Sequence, residues 1–237
     1  MNPTSEELQE LKEKASETLK SQSRCRPLFV EFAGTPKSGK STCIDTVEHF
    51  FRRLDYKVLA PTEGASKRTP YFLKDDLVSF NIWSATYALT HILEGRYGSD
   101  EYNLVIMDRG IFDALAWFEL LRLKDDIDEH ECSAIQSFLL IERWRNLVDI
   151  IFLFNTEPET SLERENLNKL IEEPGRAMNP EFLRELNLAY EKTQKNHANQ
   201  FNRFEVIDTR PASNTNPQLG AYKVAKVIVG ELAGEPG

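Results

Sequence analysis

The stretch FVEFAGTPKSGKST, residues 29 to 42, constrains this chain more than any other. An apolar run breaks into a polar turn that sets Gly34 and Gly39 five residues apart, with Lys40 and Ser41 following at once. Glycines so spaced let successive backbone N–H groups turn toward one anion. A helix starting near Gly39 adds the positive end of its dipole. The spacing is G-x-x-x-x-G-K-S, the phosphate-binding P-loop pattern, and it demands a strand before it and a helix after it.

The rest of the chain supplies that setting. Residues 27–34, 56–61, 103–108, 148–154 and 204–208 read as five strands, apolar on both faces as in a buried parallel sheet. Helical patterns separate them, at 40–54, about 70–94, about 111–123 with 130–146, 158–171 and 180–200, and a last one follows at about 217–233. The alternation predicts an α/β chain. Its expected form is a three-layer P-loop NTPase fold, with a five-stranded parallel sheet and helices on both faces. Residues 1–25 are expected to form an amphipathic helical extension, striped by Leu8, Leu11, Ala15 and Leu19, ahead of a P-loop domain at 26–237. That helix could pack on its own domain or serve a homodimer or other partner. Pro174, Gly175 and Pro180 interrupt helical patterning, which marks 172–180 as a candidate lid loop.

Composition narrows the partners. In 237 residues, 29 Lys and Arg stand against 38 Asp and Glu, a formal net charge of −9, which opposes a broad footprint for nucleic acid or an anionic membrane. The three cysteines, Cys25, Cys43 and Cys132, are far apart and suggest no disulfide framework. The longest apolar runs, such as IIFLF, fall well short of a membrane span. The opening residues lack the order of a signal peptide. A soluble cytoplasmic protein is expected.

The loop residues Gly34, Thr35, Pro36, Lys37, Ser38, Gly39, Lys40, Ser41 and Thr42 are the candidate nucleotide cradle. In it Lys40 would reach the β- and γ-phosphates, Ser41 would ligate Mg²⁺, and Thr42 would support the α-phosphate. A second carboxylate on the metal side should end another strand, and Asp108 after LVIM fits that place. Arg109 follows directly. It could position an acceptor beside the γ-phosphate, or pair structurally with a carboxylate such as Glu63. The chain has no N-K-x-D segment for guanine, so ATP is the expected nucleotide.

Over roughly residues 27 to 210 the chain resembles the thymidylate kinase and deoxynucleoside kinase group of P-loop kinases. The carriers are GTPKSGKST, PTEG (61–64), MDRG (107–110), VDIIFLFNTEPETSLER (148–164) and NPEFLRELNLAYEKT (179–193), with Phe182 and Tyr190 in matching places. Three departures leave the acceptor open: Gly110 after Asp-Arg, Pro36-Lys37 inside the loop, and Gly64 after Thr62-Glu63. The resemblance implies ATP-dependent, Mg²⁺-assisted phosphoryl transfer to a nucleoside or nucleoside monophosphate. It implies that Glu63 orients or deprotonates the acceptor hydroxyl. Arg176 in the lid, with Arg164 as a second candidate, would close over the transferring group. It further implies that Phe80, Trp83 and Tyr87, at i, i+3 and i+7 beside Asn81, line the acceptor pocket, although such a stripe also suits plain core. Residues 208–214 would hold the adenine. Two other readings stay open at this point: a P-loop kinase of another small metabolite, and a nucleotide-binding ATPase or switch module working on a protein partner.

Overall fold

The computed structural model of the chain describes residues 2–21, 24–61, 68–98, 101–168, 177–213 and 216–235. Its centre is a parallel sheet of strands β1 (Leu28–Gly34), β2 (Val58–Leu59), β3 (Leu104–Asp108), β4 (Ile150–Asn155) and β5 (Arg203–Asp208), in the spatial order β2-β3-β1-β4-β5. The middle position falls to β1, the strand that runs into the P-loop. It pairs Phe32 with Asp108 on one side and Gly34 with Phe154 on the other. Every residue of β1 is buried, as its largely apolar character requires, with Glu31 the lone charge among them.

The pleat divides these strands between two cores. Phe29, Ala33, Val105, Met107, Ile151 and Leu153 pack with helices α3 (Leu77–Tyr97), α4 (Ile111–Leu123) and α8 (Pro180–His197). Leu28, Val30, Phe32, Ile106, Phe152 and Phe154 pack with α1 (Ser5–Ser21), α2 (Lys40–Arg52) and α9 (Pro217–Leu232). Three layers result. Helix α4 is apolar nearly all round and buried to match, from Ile111 to Leu121. The shorter helices α5 (Glu129–Leu139), α6 (Glu142–Arg145) and α7 (Pro158–Asn168) complete the chain order.

Several boundaries differ from the sequence reading, each for a local reason. The expected helix from about 70 is a 3₁₀ turn at Tyr71–Leu73 followed by α3, whose start is fixed by the Asp76 carboxylate accepting from Val78 N at 3.0 Å. Strand β2 is reduced to two residues, because Tyr56 N still bonds back to Phe51 O and Pro61 lies just beyond. The expected 130–146 helix breaks at Leu140 into α5 and α6. Helix α1 buries Leu11 and Ala15 against the sheet's second core, and Tyr56 OH donates to Ala15 O at 2.7 Å.

Asp149, just before β4 and 5% exposed, fastens the entry to β1. Its carboxylate accepts from Arg26 through two bonds of 2.7 Å, from Arg24 at 3.3 Å and from Phe29 N at 2.8 Å. Truncating it would leave two arginines and a buried amide without that acceptor. Among the described residues no helix is long and apolar enough to cross a membrane.

Candidate active site

The P-loop leaves β1 at Gly34 because only glycine fits there. Its φ is +136°, and a Cβ would lie 2.5 Å from Phe154 O on the neighbouring strand. The chain then turns through Lys37 at φ 59° into α2. No side chain caps the N-terminus of α2, whereas Asp76, Asp128, Asn179 and Asn216 cap α3, α5, α8 and α9. The positive end of the α2 dipole is thus left to the loop. Lys40 is 5% exposed, and its ammonium lies along the loop, donating to Gly34 O and Thr35 O at 2.8 Å and to Ser38 Oγ at 3.3 Å.

Sheet order brings the second half of the site alongside. Because β3 neighbours β1, Asp108 stands opposite Phe32, and Ser41 Oγ lies 3.4 Å from Asp108 Oδ2. A hydroxyl and a carboxylate are hard oxygen donors of the kind Mg²⁺ takes together with waters and phosphate oxygens, so the pair fits that ion. Among the described residues no cluster of three or more His, Cys, Asp or Glu could hold a metal ion. Two protein oxygens are the usual share for magnesium on a nucleotide.

Arg109 sits in the left-handed region at φ 68°, which a non-glycine residue occupies only when its surroundings over-determine it. Its N–H donates to Phe32 O at 3.0 Å, its Nη1 to Asp113 Oδ2 at 2.8 Å, and its guanidinium lies over the Trp117 ring at 5.7 Å. Asp113, 2% exposed, also accepts from Gly34 N at 3.2 Å and from Tyr190 OH at 2.5 Å through its other oxygen. Burial raises the Tyr190 phenol well above its ordinary value, so it is a donor throughout the neutral range.

Beneath this turn lies Glu31, 1% exposed, accepting from the N–H groups of Gly110, Phe112 and Asp113 at 3.1, 3.1 and 2.8 Å. It caps α4 from another strand. Burial, which outweighs those three donors, pushes its carboxyl up from 4.5 to about 7, with the Asp113 charge adding to the rise. The same contact explains Gly110: a Cβ there would meet Glu31 Oε2 at 2.6 Å.

On the far rim, Arg164 of α7 donates to Lys37 O at 3.1 Å and to Thr209 O at 2.9 Å, and Glu165 pairs with Lys37 at 2.8 Å. Burial lowers the Arg164 value. Thr209 in turn donates to Ser38 O at 2.9 Å, which joins the segment after β5 to the loop. Phe80, Trp83 and Tyr87 are half-buried rather than core. Trp83 stacks on Tyr87 at 5.0 Å, and Tyr87 meets His91 edge-on at 4.4 Å. An apolar groove of about 300 Å³, lined by Ile82, Ala85, Thr86, Phe118, Ile135 and Phe138, opens on the opposite face of α3.

Of the residues singled out in sequence, Lys40, Ser41, Asp108 and Arg109 come together at one end of the sheet, with Arg164 on its rim. Arg109 pairs with Asp113, four residues on. The Glu63 suggested as one partner lies outside the described residues, as do Arg176 and most of the candidate lid. Sequence reasoning missed Glu31 and Asp113. The available signal was a glutamate interrupting an otherwise apolar strand.

A central strand feeding a P-loop, a carboxylate at the end of the adjacent strand and helices on both faces give this chain the fold of the deoxynucleoside kinase group of P-loop kinases. Solved structures of that shape include deoxyadenosine kinase from M. mycoides. With dATP bound it matches at a TM-score of 0.59 and 17% identity, over 85% of this chain and 99% of that one. With dCTP the values are 0.57 and 18%, and with dCMP and dCDP 0.61 and 16%, each over 85% of this chain and 98% of that one. At these identities the likeness is one of fold. No protein-family model matches the chain, and no curated protein matches it in sequence.

Proposed function

We propose that the chain is an ATP-dependent, Mg²⁺-assisted kinase that transfers the γ-phosphoryl group to a nucleoside or a nucleoside monophosphate. The observation that carries this reading is the meeting of Lys40, Ser41, Asp108 and Arg109 at one end of β1 and β3. The fold shared with a deoxyadenosine kinase supports it.

Phosphoryl transfer asks a protein for positioning and charge rather than covalent chemistry. Backbone N–H groups of the loop from Lys37 to Lys40 would hold the phosphates, Pro36 having none to give. Lys40, which now donates to two loop carbonyls, would exchange them for β- and γ-phosphate oxygens. Ser41 and Asp108 would hold Mg²⁺, which neutralises charge on the phosphates when bound. Arg109, directly after the Asp108 carboxylate, would fix the acceptor in line with the γ-phosphate. Glu63 would orient the acceptor hydroxyl and Arg176 would close over the reaction, both on grounds of sequence resemblance alone. The half-buried, mutually stacked Trp83 and Tyr87 rings would line the acceptor side and stack on its base, a role that rests on the sequence resemblance.

The test is direct. Purified protein with radiolabelled ATP and Mg²⁺ is offered a panel of deoxynucleosides, ribonucleosides and their monophosphates. Labelled product with at least one acceptor is expected. ATP hydrolysis at an equal rate with and without every acceptor would sink the reading.

A further inference from the structure

The carboxylate of Asp113 joins three parts of the molecule that are far apart in sequence. One oxygen takes the Tyr190 hydroxyl of α8 and the Gly34 amide, which opens the P-loop; the other takes the Arg109 guanidinium. Asp113 and Tyr190 are 2% and 4% exposed, so water does not compete for these bonds. A buried tyrosine and aspartate could be no more than a satisfied polar pair in a core. What sets this pair apart is that the other two partners of the carboxylate belong to the proposed reaction site. Arg109 also holds a backbone conformation at φ 68° that relaxes once its restraints loosen.

We propose that Asp113 and Tyr190 are positioning residues, through which the placement of helix α8 sets the stance of Arg109 and of the first P-loop amide. Helix α8 is suited to that part. Asn187 donates to Thr156 O after β4, and Arg184 pairs with Glu159 at the start of α7, so α8 also touches the segment that carries Arg164. A shift of α8 is thereby shared between both rims of the P-loop. The kinetic consequence rests on the kinase reading; the structural one does not.

The experiment compares Tyr190→Phe with Thr193→Val, a change on the same helix at a buried hydroxyl that makes no hydrogen bond. Amide hydrogen exchange is followed in the segments 29–40 and 104–118. Tyr190→Phe should speed exchange in both segments by about threefold or more, and Thr193→Val should leave them alone. In transfer assays Tyr190→Phe should lower kcat about tenfold, with the KM for ATP changed less than about twofold. In an Arg109→Lys background the same substitution should cost less than about twofold, because its effect already passes through Arg109. Unchanged exchange at both segments, or an equal loss of kcat in the two backgrounds, overturns the proposal. A native chain that transfers phosphoryl to no acceptor ends the kinase reading instead, and the exchange comparison still decides the junction.

Discussion

Replacing Glu31 by glutamine removes a titration while keeping a shape. The native carboxyl is 1% exposed and faces the amides of Gly110, Phe112 and Asp113. Those donors favour the charged form, but burial wins and lifts the group from 4.5 to about 7. A folded chain therefore keeps this proton up to about pH 7, and an unfolded chain only up to about pH 4.5. Between those values the folded state binds more protons, so the contribution to stability is full below the lower value and falls as pH rises through the higher one. At about 1.4 kcal/mol per pH unit, the loss from about pH 5 to about pH 8 is on the order of 2–3 kcal/mol. Glu31→Gln cannot titrate and should not show it. Urea unfolding of both proteins across that range, followed by circular dichroism, gives the difference in stability at each pH. The advantage of the native chain over the variant should shrink by that amount up to about pH 7 and stay level above it. A difference that is constant with pH would show that the buried glutamate titrates as an ordinary carboxyl, and the competition between burial and amide donors was misjudged.

Other substitutions test other links. Lys40→Ala should weaken ATP binding and lower kcat by about 10²–10³, because it removes a charge from the developing transition state; unchanged nucleotide affinity and rate would count against the P-loop assignment. Asp108→Asn should raise the Mg²⁺ concentration needed for half-maximal transfer, while ATP affinity measured without metal stays near native; an unaltered magnesium titration would remove Asp108 from the metal site. Gly110→Ala should destabilise the fold by about 1–3 kcal/mol, since the new Cβ would meet the Glu31 carboxylate at 2.6 Å; a melting temperature equal to that of the native chain would mean that the turn yields. Trp83→Ala should raise the acceptor KM with little change in that for ATP, and the reverse pattern would detach the ring stack from the acceptor side.

The P-loop and Asp108 were legible because their signals are local: fixed glycine spacing in one case, and an acid closing a short apolar run in the other. The layers were legible because strands buried on both faces need no partner to look apolar. Glu31 was not. Its three donors sit 79 to 82 residues away, and within its own strand it looks like a misplaced charge. Asp113 failed to register for a related reason. On an apolar helix it reads as an isolated acid, and only the packing of α4 against α8 and β1 gives it Tyr190 and the Gly34 amide. The start of α3 could have been read from Asp76, whose side chain caps the helix, but the apolar residues ahead of it masked the boundary.

The position of β1 in the middle of the sheet has a consequence for synthesis. Of the sheet's described strands it is made first, yet the carboxylate that fastens its start, Asp149, lies 120 residues beyond Phe29. At a translation rate of about 5–20 residues per second, roughly 6–24 seconds pass before that anchor is even polymerised. For this interval β1, with Phe29, Val30 and Phe32, lacks its β4 neighbour and stands open along that edge. A nascent chain halted before residue 149 should therefore be the species most prone to aggregate and most in need of a chaperone, although the finished sheet encloses that strand completely.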